Sequence, residues 1–240
     1  MRYLIFGDIH GNLEAFNAVL RDAPLDTIDE FICLGDIIGY GANPDECIAK
    51  VRELGALAVA GNHDHAAIGC LDITFFRDYA REAILWTSRH LSVESRTYLA
   101  GLPFIEIADH FTCVHGSLEA PEVFNYIQSV ADAEINFRML DNDICFCSHS
   151  HVPMAFFNTV PMTYTLDEEF ELDQPVKTIV NVGSVGQPRD ENPLACYCIY
   201  DSGPRTIEIR RVEYDVEIAA QKILDAGLPP ALALRLSLGR

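Results

Sequence analysis

Asp8 and His10 stand two residues apart where a short apolar run, residues 3–6, breaks at Gly7. A carboxylate and an imidazole released at the end of a buried strand can ligate a metal. Equally, Asp8 or Asn12 can simply open the helix that follows. The pair alone leaves both readings open. The same event recurs along the chain: Asp36 follows residues 30–34, Asn62 and His63 follow 56–60, His115 follows 111–114, and His149 and His151 follow 144–147. Each cluster is weak evidence by itself. Together they place carboxylate, amide and imidazole donors along one rim of one sheet, the carboxyl edge where open α/β sheets hold ligands. A set rich in nitrogen and oxygen and free of thiolate suits manganese, iron, nickel or zinc better than calcium. So many donors call for two ions with a carboxylate between them.

The elements that must position these donors can be read from periodicity. Leu13, Phe16, Val19 and Leu20 recur at helical spacing and predict a helix over 12–22. Asn43, Pro44 and Glu46 form a capping-box pattern ahead of a helix whose Ile48, Val51 and Leu54 face the core. An amphipathic helix is predicted over 75–90, and a shorter one runs from Ser92 to Leu99. Residues 104–107 and 111–114 read as a hairpin turning at Ala108-Asp109-His110, and 131–140 as a helix. Beyond residue 153 the texture is mostly strands, at 154–159, 162–166, 177–182, 195–200 and 206–213. The acidic stretch 167–173 reads as a solvated loop, because the glycine and ligand spacing of a calcium loop is missing. Two helical pieces, 215–226 and 229–238, close the chain. With no repeat and no linker-like composition, residues 1–240 read as a single α/β domain.

Composition narrows the partners. Of 240 residues, 49% are hydrophobic and 22% charged, as in a globular protein, and the net charge is −19. That charge argues against general binding to nucleic acid or anionic membranes. A small phosphate ester remains possible if a local positive centre outweighs the field. No basic stretch followed by an apolar run marks the amino end, and no apolar run approaches the roughly 18 residues of a membrane span. A cytoplasmic protein is the expectation. The eight cysteines are then expected to be reduced and buried, with Cys145 and Cys147, and Cys196 and Cys198, each pair on one sheet face. The apolar end from Leu228 to Leu238 can dock on its own core or on another subunit, so a homo-oligomer stays open.

The blocks Asp8-Ile9-His10, Gly35-Asp36, Gly61-Asn62-His63-Asp64, His115 and His149-Ser150-His151, in this order, resemble the calcineurin-like metallophosphoesterase superfamily. The likeness is to its small bacterial and archaeal phosphodiesterase branch and runs from residue 2 to about residue 200. One departure is Ser148, where the family usually has glycine. The resemblance implies a four-layer α/β/β/α sandwich of two mixed β-sheets flanked by helices. It implies one ion on Asp8, His10, Asp36 and His151 and another on Asp36, Asn62, His115 and His149, with Asp36 bridging. A hydroxide between ions about 3.5 to 4 Å apart would attack the phosphoryl group in line. His63 would protonate the leaving oxygen or stabilise the transition state, and Asp64 would orient the imidazole and keep it charged. Candidate substrate contacts are Tyr40, Asn12 and Arg189; Asn12 alternatively caps its helix, and Arg189 alternatively pairs with surface acids. His65, His90 and His110 have no motif partner. The implied function is a dinuclear-metal phosphoesterase acting on a small phosphodiester or nucleotide. A dinucleoside polyphosphate hydrolase is the alternative within the enzyme class. A non-catalytic protein-binding scaffold of the same fold is the alternative of another class, and the complete ligand set speaks against it.

Overall fold

A computed structural model describes residues 1–108, 110–172 and 176–240. The chain begins by alternating strand and helix: β1 (Arg2–Phe6), α1 (Leu13–Asp22), β2 (Glu30–Cys33), α2 (Pro44–Glu53) and β3 (Leu57–Ala58). Three helices follow, α3 (Asn62–Ala67), α4 (Asp78–His90) and α5 (Val93–Ala100). The hairpin β4 (Ile105–Ala108) and β5 (Phe111–Val114) leads to α6 (Val130–Met139) and β6 (Ile144–Cys147). Then come β7 (Met154–Phe157), β8 (Thr163–Thr165), β9 (Glu169–Glu171), β10 (Thr178–Asn181), β11 (Ala195–Asp201) and β12 (Thr206–Val212). The helices α7 (Val216–Asp225) and α8 (Pro230–Leu238) end the chain.

The strands form two mixed six-stranded sheets, in the orders β3-β2-β1-β11-β12-β9 and β4-β5-β6-β10-β7-β8. The period-2 alternation of each strand decides what fills the space between them. Tyr3 and Ile5 of β1 join Ile32, Phe111, Phe146, Val180, Cys198 and Tyr200 in the inter-sheet core. Leu4 and Phe6 turn the other way, onto Phe16 and Val19 of α1 and Ile48 and Val51 of α2. On the far side, Cys145, Cys147 and Ile179 meet Ala133 and Phe137 of α6. The result is the helix, sheet, sheet, helix layering of the metallophosphoesterase sandwich.

Several local expectations change. The donor-bearing strand ends do not share one sheet: β1, β2 and β3 lie parallel in the first, and β5 and β6 lie parallel in the second. An apolar run reports burial but not its pairing partner, so the two rims could not be separated by pattern. The stretch read as a loop at 167–173 contains β9, an edge strand paired with β12; residue 173 lies outside the described residues, as does Asp109 of the hairpin turn. Asn43 donates to Glu46 instead of accepting a backbone N–H, and the helix starts at Pro44. Seven cysteines are buried thiols, but Cys70 is exposed. No helix among the described residues is long and apolar enough to cross a membrane. Leu228, Leu232 and Leu236 bury against α4 and α7, so the apolar carboxyl end docks on its own chain.

Candidate metal centre

Backbone pairing continues past the strands and locks the donor loops to one another. Asp8 N–H donates to Gly35 O at 3.0 Å, His10 N–H to Asp36 O at 2.9 Å, and Ser148 N–H to His115 O at 2.9 Å. Five donor residues, Asp8, His10, Asp36, His149 and His151, sit at φ between 50° and 68°. Left-handed backbone at a residue other than glycine costs on the order of 1–3 kcal/mol and persists only where the surroundings enforce it. Here it turns side chains of adjacent loops toward one point. No sequence period announces it, although Asp and His tolerate this region better than bulky residues.

Two close approaches make room. A Cβ on Gly7 would lie 2.8 Å from Ser148 Oγ, so Gly7 provides the space for the side chain that replaces the family's glycine. Ser148 Oγ donates to Leu34 O at 3.3 Å. A Cβ on Gly61 would lie 2.0 Å from Asp36 Oδ1 and 2.2 Å from Asp36 N. Gly61→Ala is therefore expected to push Asp36 out of place, costing about 1–3 kcal/mol of unfolding free energy and lowering metal content. Denaturant titration and elemental analysis check both effects.

The ring nitrogens are assigned by their partners. His115 Nδ1 donates to Leu34 O at 2.7 Å, His151 Nδ1 to Gln187 O at 2.5 Å and His10 Nδ1 to Ile38 O at 3.3 Å. The Nε2 of His10 and of His151 are thereby left as lone pairs facing other acceptors, and that of His115 faces a carboxylate. His10 Nε2 is 3.1 Å from His151 Nε2, and Asp8 Oδ1 lies 3.6 Å from His151 Nε2 with no hydrogen-bond partner. His115 Nε2 is 3.0 Å from His149 Nδ1, 3.2 Å from Asn62 Oδ1 and 3.5 Å from Asp36 Oδ2. Asp36 Oδ2 is also 3.7 Å from His10 Nε2, so this carboxylate touches both clusters. The clusters Asp8–His10–His151 and Asp36–His115–His149 are wholly buried and sized for a cation. Acceptors converging on acceptors, with the opposite ring nitrogens bonded to backbone carbonyls, is the chemistry of metal ligands.

Electrostatics fits a missing positive charge. Burial, with the Asp36 charge against the His115 imidazole, pushes Asp8 up to about 7. Burial would raise Asp36 too, but the His115 and His63 imidazoles hold it well below the carboxylate range. Burial lowers imidazoles, yet the Asp36 carboxylate lifts His115 to about 9. Burial keeps His10, His149 and His151 far below their usual values and hence neutral, as ligands must be.

The chain matches the calcineurin-like phosphoesterase family over residues 1–180. It belongs to that family. A metallophosphoesterase from Sphaerobacter thermophilus superimposes with a TM-score of 0.90 at 39% identity, covering 100% of this chain and 99% of that one. The uncharacterized protein MJ0912 of Methanocaldococcus jannaschii is 41% identical over 243 residues, covering 98% of this chain and 97% of its own. A symmetrical bis(5'-nucleosyl)-tetraphosphatase of Glaesserella parasuis is similar only over 67 residues, 39% identical, covering 27% of this chain and 25% of its own.

Around the centre of this calcineurin-like phosphoesterase, the remaining candidate residues take different places. His63, on the first turn of α3, is buried between His10, Tyr40 and Phe76, with ring centroids 4.8, 4.5 and 5.5 Å away. Periodicity missed α3, which has only six residues. Asp64 does not orient His63. Its oxygens accept from the N–H groups of Ile37, Ile38 and Gly61, while His63 Nδ1 has no partner. Nor is His63 kept charged, since burial lowers it to about 4. Asn12 is also taken up structurally: Oδ1 accepts from Ala15 N–H at 3.1 Å and Nδ2 donates to Gly186 O at 2.9 Å. Tyr40 and Arg189 do line a cleft of about 940 Å³ that reaches Asn62, His63 and His149. Arg189 donates to Tyr40 Oη at 3.3 Å and Gln187 Oε1 at 3.2 Å, and no carboxylate among the described residues lies within ion-pair distance of it. Tyr126 was not singled out by sequence; its ring stacks on His149 at 4.0 Å.

Proposed function

We propose that the protein is a dinuclear-metal phosphoesterase hydrolysing small phosphodiesters or nucleotides. The observation that carries this reading is the pair of buried acceptor clusters, with Asp36 Oδ2 within 3.7 Å of a histidine in each, beside an open cleft lined by Asn62, His63 and His149. Asp8, His10, Asp36 and His151 would hold one ion, and Asp36, Asn62, His115 and His149 the other. Two divalent ions, when bound, would lower the pKa of water and neutralise charge on phosphoryl oxygens.

The chain's own groups supply the rest. His63 reaches the cleft beside both clusters and is the group placed to deliver a proton to the leaving oxygen. Its backbone N–H donates to Asp36 Oδ1 at 2.8 Å, which steadies the shared carboxylate. Asp64 ties the loop after β2 to the start of α3 and acts as a positioning residue. Tyr40 walls the floor with its hydroxyl protonated, burial pushing it up to about 12. The test is hydrolysis of bis(p-nitrophenyl) phosphate with added manganese, abolished by chelator. Metal-loaded protein inert toward mono-, di- and cyclic esters would refute the reading and favour a binding scaffold.

Metal affinity is expected to rise with pH. The metal-free cluster keeps a proton on His115 up to about 9 and on Asp8 up to about 7. Ligation displaces both, so affinity should climb about tenfold per pH unit for each proton displaced, and flatten above the higher value. Competition against a chelator of known affinity measures this slope.

A further inference from the structure

We infer that one wall of the cleft selects nucleotides carrying at least two consecutive phosphates, an inference that rests on the phosphoesterase reading. Two phenols stand in contact along that wall with a guanidinium over each. Arg189 Cζ lies 5.9 Å over the Tyr40 ring, Tyr40 and Tyr79 have centroids 6.5 Å apart, and Arg235 Cζ lies 5.2 Å over Tyr79. The ladder starts at the centre, where the Tyr40 ring is 4.5 Å from His10 and 4.5 Å from His63. It ends on α8.

The inner part of this wall carries charge that no carboxylate answers. The chain has 36 acidic and 17 basic side chains, yet Arg189 and the neighbouring Arg77 line the cleft without a carboxylate at ion-pair distance among the described residues, while Arg235 gives its Nε to Arg240 O at 2.7 Å and its Nη1 to Tyr79 Oη at 2.6 Å and keeps its remaining Nη2 for a ligand. Arg189 donates to neutral oxygens at Tyr40 and Gln187 and also meets the Tyr126 hydroxyl, and its buried Nε has no partner. Asp72, the carboxylate on the lining, is occupied by the N–H and hydroxyl of Thr74. An esterified phosphate at the two clusters leaves Arg189, one ring farther out, for the next phosphate, which its planar fork matches.

The organic part of the ligand follows from Phe75. Its ring is 92% exposed at the cleft, while Phe76 beside it anchors the segment on His63. An exposed aromatic face stacks a nucleobase of any sequence. Cleft volume is of the size that encloses such a ligand. Arg189 and Arg235 both lie beyond the stretch that matches the family, so these two guanidiniums come from the chain's last quarter while the rings beneath them come from within that stretch.

The test is calorimetric binding of methylphosphonate and of α,β-methylene-ADP to manganese-loaded protein, with manganese in excess of either ligand. The nucleotide is expected to bind about 1000-fold more tightly, about tenfold for each of the three added contacts. Arg235→Met and Phe75→Ala should each reduce that ratio about tenfold, and Arg189→Met more than Arg189→Lys, which keeps the charge without the fork. Equal affinities in the parent protein, or a ratio surviving every substitution, overturn the inference. Turnover of bis(p-nitrophenyl) phosphate on the same preparation separates the two ideas. Turnover with no nucleotide preference discards the wall and keeps the phosphoesterase. Nucleotide preference without turnover of any ester keeps the wall as a binding surface and discards the phosphoesterase.

Discussion

Asp36→Ala is expected to lose metal from both positions at once and to lower phosphodiester turnover by at least about 10³-fold, since several kcal/mol of charge stabilisation go with the ions. The reason is the geometry of one carboxylate. Its Oδ2 lies 3.5 Å from His115 Nε2 and 3.7 Å from His10 Nε2, one in each cluster, while Oδ1 is fixed by the His63 N–H. Asp8→Ala is the control, because Asp8 Oδ1 is nearest to His151, at 3.6 Å, with His10 at 3.9 Å and His115 at 4.0 Å. Elemental analysis should find one ion retained in Asp8→Ala and neither in Asp36→Ala. Two ions retained in the Asp36 variant would remove the bridging assignment.

His63→Ala is expected to lower turnover by about 10² to 10⁴ with the metal content intact. The variant keeps the backbone N–H that holds Asp36, so truncation removes the imidazole alone. Burial lowers His63 to about 4, so donating a proton near pH 7 requires an anionic phosphate beside it to raise that value. Protonation would then follow substrate binding, and the basic limb of the rate profile, where the general acid loses its proton, should shift upward once substrate saturates the enzyme. Loss of metal from the His63 variant would show it to be a ligand instead.

The donors were legible in sequence because each follows a β-strand whose apolar run is plain, and the five blocks occur in a recognisable order. What connects them was not. Pattern assigned the strand ends to one rim, whereas β1–β3 and β5–β6 belong to opposite sheets, a fact set by pairing between distant segments. Asp64 and Asn12 illustrate a second limit. A buried carboxylate or amide next to a catalytic histidine or a ligand loop looks chemical, but unpaired N–H groups nearby have the stronger claim on it. Three backbone donors take Asp64, and the first turn of α1 takes Asn12. The cleft wall was only half visible: Tyr40 and Arg189 were identified, but Tyr79, Phe75 and Arg235 join them through tertiary packing.

The division of ligands between the sheets gives the centre a mechanical meaning. Asp8, His10, Asp36 and Asn62 ride on the first sheet and its loops, and His115, His149 and His151 on the second. Ions held between them would act as rivets across the seam filled by Tyr3, Phe111, Phe146 and Tyr200. Whatever separates the sheets pulls the donor halves apart, and whatever the ions gain on binding is returned as resistance to that separation. Distant packing and metal affinity are therefore two readings of a single spacing.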